Sequence, residues 1–294
     1  MATLADHLAI DNAPPSTRRA TLFREAPLDR LARWTLGAAW ALSPQRIGGL
    51  PALGRLWLRE MLAPDRALPD PEQALDNPYG LAGIVHDLSL PALLAAYRCG
   101  LYPLAHIAPL KWWSPPQRTV LFFPETHIGK NLRRELRRGR YKVTFDRDFD
   151  AVIAACARNR RLTWITPRVM HVFAQAFDAG HVHSFEVWNE NGELAGGGYG
   201  LATGGAFVTE SQFSREKNTS KLGFAVLNWH LARWGFAFND GKLPTPALHD
   251  VGFREIPRTD FLSRLAQAGG MPGKSGRWQV EADTAAVAAW QPGS

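Results

Sequence analysis

Apolar residues at Leu28, Leu31, Trp34 and Leu36, and again at Leu56, Trp57, Leu58 and Met61, recur at helical spacing. They predict two helices between residues 27 and 62, broken near Ser43-Pro44 and across Gly48 to Pro51. Ahead of them, residues 1–26 are polar, contain Pro14-Pro15 and show little periodicity, so a flexible tail is expected. The proline-rich stretch from Pro64 to Pro78 marks a boundary. After it, Asp87-Leu88-Ser89 opens a helix through Leu93, Leu94 and Tyr97 that stops at Gly100, and Trp112 to Pro116 forms a rigid turn. Strands are predicted over 118–123, 141–145, 183–188 and 237–240, with helices over 127–139, 149–157, 167–179 and 220–234. Residues 266–294 look loosely organised.

Residues 196–221 read as two short strands, a glycine turn and a Ser-rich loop entering a helix. Gly196, Gly197 and Gly198 remove side chains where a backbone or a ligand comes close, and Gly204-Gly205 supplies the turn. Glu210 falls at the end of an apolar strand, where a solvated carboxylate is unexpected. Structural readings stay open beside the functional one: glycines that bulge a strand, a Glu that caps a neighbouring backbone, and Asn218-Thr219-Ser220 as a helix cap.

Charge changes the picture next. With 34 Lys and Arg against 27 Asp and Glu, the 294-residue chain is basic, which suits a polyanionic partner or simply solubility. The segment 127–139 sets Lys130, Arg133, Arg134, Arg137 and Arg138 on one helical face, with Arg140 beyond. Like charges at that spacing repel unless an anion meets them, so phosphate contact is preferred over a solvated face. The two cysteines, Cys99 and Cys156, cannot build a disulfide framework and fit buried thiols of a reducing cytosol. No apolar run reaches the ~18 residues of a membrane span, and Asp6 and Asp11 speak against a secretory signal. A cytoplasmic monomer with no cofactor and no metal is expected.

The blocks DLSLPALLAAYRCGLYP (87–103), WWSPPQRTVL (112–121), LTWITP (162–167), HSFEVW (183–188), GGGYG, TESQFSR (209–215), TSK and GFREIPR (252–258) follow one another over residues 77–265. In content and order the chain resembles the leucyl/phenylalanyl-tRNA–protein transferase family. The resemblance implies an α/β (α+β) fold, an acetyltransferase-like (GNAT-like) mixed sheet flanked by helices. It divides the chain into a 1–26 tail, a 27–76 helical extension, a 77–125 small N-terminal domain, a 126–265 catalytic domain and a 266–294 tail. The implied reaction moves Leu, Phe or Met from aminoacyl-tRNA to the N-terminal amine of an acceptor protein.

The implied site has Asp240 starting a proton relay, Glu210 orienting substrate, and the residue two past Asp240, here Lys242, meeting the attacking amine. Trp164, Tyr97, Tyr199, Trp112 and Ser211 match positions of the family's substrate region, although each aromatic equally suits a core. Lys130, Arg133, Arg134, Arg137 and Arg138 would meet tRNA. Asp240 and Glu210 are expected to be needed for transfer and dispensable for folding. The chain departs from the family pattern at Thr209 for Gly, Gln212 for Met, Asp240-Gly241-Lys242 for Asp-Cys-Gln, Ala247 for His, Leu104 for Trp, and His127 to Asn131 for a His-x-Ser-Arg-Ser run. A fixed cation at Lys242 would favour acceptors beginning with Asp or Glu; with a depressed pKa it would instead serve as the base, which Asp240 opposes. A CoA-dependent acyltransferase on the same fold is an alternative; against it, no Arg/Gln-x-x-Gly-x-Gly/Ala phosphate loop precedes the Ser220 helix in this sequence. A catalytically silent RNA- or peptide-binding homologue is the other alternative.

Overall fold

A computed structural model describes residues 15–44, 47–62, 67–105, 107–159 and 162–293. Helices α1 (Pro15–Leu22), α2 (Pro27–Ala41) and α3 (Leu50–Leu62) open the chain. Strand β1 (Leu81–Ile84) follows, then α4 (Leu90–Arg98), in which the Ser89 hydroxyl accepts the Ala92 N–H and Pro91 fits the first turn. Strands β2 (Tyr102–Leu104) and β3 (Lys111–Trp113) pair with β1 in a small antiparallel sheet of order β1-β3-β2.

The main sheet begins at β4 (Gln117–Leu121). It is followed by α5 (Lys130–Arg138), β5 (Lys142–Phe145), α6 (Phe149–Arg158), α7 (Pro167–Asp178) and β6 (Val182–Trp188). Then come β7 (Leu194–Thr203), β8 (Ala206–Ser214), α8 (Thr219–Arg233), β9 (Phe238–Lys242), the short α9 (Pro246–His249), β10 (Arg254–Pro257), α10 (Arg258–Gly269) and α11 (Thr284–Ala289). The seven strands lie in the order β10-β4-β9-β8-β7-β6-β5, antiparallel except for the parallel pair β8 and β9, which α8 connects. Alternation along β8 sends Val208 to a core shared with α6 and α7, and Phe207 to a second core shared with α8 and α5. The mixed sheet flanked by helices is the fold class expected from sequence.

Three expectations about organisation are corrected. The boundary at 125/126 falls too late, because β4 sits inside the main sheet between β10 and β9; the break lies between β3 and β4, where Ser114-Pro115-Pro116 interrupts pairing. Of the expected 1–26 tail, residues 1–14 lie outside the described residues; from Pro15 the chain is helical, and Arg18 pairs with Asp148 (2.7 Å) and Arg19 with Asp150 (3.0 Å) and Asp178 (2.5 Å). Phe23 is buried beside them. Within the expected 266–294 tail, residues 266–293 are described and pack against the domain. Trp278 stacks on His183 at 3.7 Å, and Val287 and Ala288 are buried in the core shared with α5 and α8. Few apolar residues spread over a long segment leave no periodic signal, so only the partners reveal the packing.

Candidate active site

Strands β8 and β9 hydrogen-bond only from Ala206–Phe238 to Val208–Asp240 and then part. At that point each strand carries an extra residue. Gly200 and Tyr199 of β7 face Thr209 and Ser211, which makes Glu210 the bulged residue; Thr119 and Val120 of β4 face Lys242 and Asp240, which leaves Gly241 extra. A bulge re-aims a side chain that regular alternation would send elsewhere. Glycine opposite the first bulge is obligatory, since a Cβ on Gly200 would meet the Val208 carbonyl and the Phe207 ring. Glu210 is therefore inside β8, not at its end. The triplet Gly196 to Gly198 makes room for Thr219, Phe185 and Phe213, so the close approach there is by the protein's own groups.

Asp240 is fully buried and both of its oxygens are taken by Arg118: Nε at 2.9 and 3.1 Å, Nη2 at 2.7 Å. Arg118 also donates to the Gly100 carbonyl and lies between the rings of Tyr102 (4.7 Å) and Phe261 (4.4 Å). Burial works against the guanidinium charge, but Asp240 outweighs it and raises the Arg118 pKa. Asp240 meets residue 242 through the backbone, accepting the Lys242 N–H at 2.8 Å. Lys242 has φ of 68°, in the left-handed region, so its side chain does not share a face with Asp240 as strand alternation predicts. Its ammonium instead lies 2.8 Å from Glu210 Oε2, an ion pair by distance without the alignment of a hydrogen bond, and 5.4 and 5.7 Å from the ring centres of Tyr102 and Trp164. The carboxylate facing Lys242 is Glu210.

Tyr97 donates its hydroxyl to Glu210 Oε1 at 2.6 Å. Burial pushes the Tyr97 and Tyr199 hydroxyls well above their ordinary pKa, and the Glu210 charge adds to this, so Tyr97 remains a donor. Tyr97, Trp164 and Tyr199 all stand edge-on to Phe173, and the buried Tyr199 Oη has no hydrogen-bond partner among the described residues. Ser211 lies against the buried Cys156 thiol, whose pKa burial raises to about 12. Thr209, a departure from the family glycine, donates to Asn239 Oδ1 at 2.8 Å.

The structure thus gathers Glu210, Lys242, Tyr97 and Trp164 around one point, with Tyr199 sharing the Phe173 wall. Trp112 is fully buried in the same hydrophobic core as Tyr97, Phe173 and Tyr199. Two members went unrecognised in the sequence, Arg118 and Tyr102. The first left a signal, an arginine heading an otherwise apolar strand, which calls for a buried acid.

On α5, Arg133 is committed elsewhere. It donates to the carbonyls of Ile128 (3.0 Å), Ala288 (2.6 Å) and Trp290 (2.8 Å), holding the C-terminal segment down. Arg138 and Arg140 share Glu135 at 2.7 and 2.9 Å, while Lys130, Arg134 and Arg137 are exposed. The basic face is therefore narrower than its spacing suggests.

A mixed sheet whose one parallel pair parts over a buried carboxylate, an ammonium and an aromatic wall defines a site that can position an amine beside apolar surface. The family described as leucyl/phenylalanyl-tRNA protein transferase matches residues 120–266, and its N-terminal domain matches 86–116. A leucyl/phenylalanyl-tRNA–protein transferase of Pseudomonas syringae pv. syringae is 48% identical over 203 residues, covering 68% of this chain and 88% of the relative. Those of Azotobacter vinelandii (47%; 68% and 89%) and Alkalilimnicola ehrlichii (41%; 79% and 91%) are similar. The chain belongs to this family. A solved structure, L-PGS from Bacillus licheniformis, resembles it only distantly, with a TM-score of 0.31 and 12% identity over 51% of this chain and 50% of that one, and lends nothing to the assignment.

Proposed function

We infer that the protein is an aminoacyltransferase that moves Leu, Phe or Met from aminoacyl-tRNA to the N-terminal amine of an acceptor protein in the cytoplasm, marking it for degradation. The bond between the amino-acid carbonyl carbon and the tRNA ribose oxygen breaks as the acceptor nitrogen bonds to that carbon. The proton lost by the amine goes to the leaving ribose oxygen. An α-amine with a pKa of about 7.7 to 8.0 is mostly protonated at neutral pH, so it attacks as its neutral fraction, after the ammonium has given one proton to water. The rest is positioning and exclusion of water.

The observation that carries this reading is Glu210, raised on a bulge at the parting of β8 and β9, with one oxygen held by Tyr97 and aromatic rings around it. Tyr97, Tyr199 and Trp164 supply apolar surface for the donor side chain, where burial of a Leu, Phe or Met contributes ~1.5 to 3 kcal/mol. Asp240, with both oxygens on Arg118, is a positioning residue that fixes residue 242 through its N–H. Incubating a peptide with Leu-, Phe- or Met-charged tRNA, and separately with acetyl-CoA, and weighing the product intact tests the reading. Addition of one amino-acid residue is expected; addition of an acetyl group alone overturns it. One observation favours a second reading, a silent binding homologue: Lys242 sits on Glu210. No product with any donor, alongside tight tRNA binding, would select it.

Glu210→Gln is expected to cut transfer at least about 100-fold, since an amide cannot hold an ammonium as a carboxylate does. Unchanged kcat/KM would make Glu210 a structural group. For tRNA, Arg134→Glu with Arg137→Glu is expected to weaken binding and flatten the salt dependence by about 0.7 to 0.9 per lost phosphate contact. Arg133→Glu should lower the melting temperature instead, through the carbonyls of Ala288 and Trp290. An unaltered salt slope in the Arg134/Arg137 variant would remove α5 from the tRNA interface.

A further inference from the structure

Among the described residues, ten of the thirteen large apolar side chains that stand exposed lie between Leu28 and Leu62, and none of those ten falls in the stretches matched by the family. The fold accounts for one side of each helix there. In α3, Ala52 is buried and Leu53 and Leu56 are half-buried. The opposite side carries Trp57, Leu58, Met61 and Leu62, each more than half exposed, along an arc of roughly 140° at 3.6 residues per turn. Arg55 and Arg59, both exposed, border that arc. In α2, Gly37 and Ala41 face inward, whereas Leu28, Leu31, Trp34 and the C-cap Leu42 form an exposed arc of about 120°. Apolar arcs of this size directed at water are unfavourable and mark an interaction surface.

We propose that α2 and α3 seat this protein on the surface of an anionic lipid bilayer. The charge pattern selects this occupant: residues 27–62 hold five arginines against two acids, and although Arg30 and Arg33 lie against Glu25, the exposed Arg55 and Arg59 border the apolar arc of α3. A bilayer with acidic headgroups presents an anionic layer directly above an apolar one, so Leu, Met and Trp enter the acyl boundary while arginines reach up to the headgroups. RNA would satisfy the arginines and leave the leucines and methionine in water. Crossing is not involved, because neither helix is long enough to span and no described helix is long and apolar enough to do so.

The test is sedimentation of the full chain with vesicles of phosphatidylcholine plus about one third phosphatidylglycerol, against phosphatidylcholine alone. The wild type is expected to partition at least about tenfold more strongly into the anionic vesicles. Leu31→Glu/Trp34→Glu and Leu58→Glu/Met61→Glu, placed at exposed positions, should each lose most of that binding. Arg55→Ser/Arg59→Ser keeps the apolar arcs intact and should lose the preference for anionic lipid, so the idea remains testable even if a glutamate variant folds poorly. The proposal is overturned if the wild type stays in solution with both vesicles, or if all variants bind as it does. It is equally overturned if the glutamate variants only dissolve a dimer, which assigns the face to a second copy, or only lose tRNA.

Discussion

Asp240→Asn is expected to lose at least about 3 kcal/mol of stability together with its activity. Asp240 and Arg118 are both essentially inaccessible to water and make three mutual hydrogen bonds. Removing the carboxylate charge leaves a guanidinium buried between Tyr102 and Phe261 without its anion, and breaking one partner of such a pair typically costs about 3 to 5 kcal/mol. At roughly 2 to 4 °C per kcal/mol for a domain of this size, the melting temperature should fall by about 6 °C or more. The sequence-based expectation that Asp240 is dispensable for folding is thereby revised. Replacing both partners with apolar residues, Arg118→Met with Asp240→Leu, should recover most of the stability and none of the activity, since the pair's desolvation cost disappears with it. A single variant melting within about 1 °C of wild type contradicts the account.

Lys242→Gln is expected to speed transfer, raising kcat/KM for aminoacyl-tRNA about tenfold or more. Glu210 has one oxygen on Tyr97 and the other 2.8 Å from the Lys242 ammonium, so a substrate ammonium must compete with a tethered one. Close charge pairs screened from bulk water couple by about 1.5 kcal/mol or more, which sets the gain at roughly tenfold or more when the tether is removed. The pairing also changes what Lys242 does to acceptors. A cation neutralised by Glu210 repels an Arg- or Lys-starting peptide much less than a lone one, so the preference for Asp or Glu starts expected from the sequence should be weak. Rates on peptides differing only in their first residue, with wild type and variant, decide this. If the variant is slower and the wild type strongly prefers acidic starts, Lys242 is an acceptor-selecting cation and not a competitor.

How far each feature could be read follows from the range of the forces behind it. Helices α4, α6 and α7 announce themselves through local spacing and caps, such as Ser89 ahead of Pro91, and a resemblance carried in eight ordered blocks places Glu210, Asp240 and Lys242 on neighbouring strands. The reach of the fold at both ends was not legible. Arg19 finds Asp150 and Asp178, and Trp278 finds His183, across more than ninety residues of chain, and nothing local encodes such partners.

The site divides along the same line. Residue identity and the family resemblance alone pointed to Glu210, Asp240 and Lys242 as the candidate site, and to a mixed sheet as the fold. Tertiary structure alone decided their pairing. An extra residue in β8 at Glu210 and another in β9 at Gly241 override the two-residue alternation, turning Lys242 from Asp240 toward Glu210 and giving Asp240 to Arg118. Alternation is a property of a regular strand, whereas a bulge is fixed by what the neighbouring strands and cores will accommodate, and that information is not local to either strand.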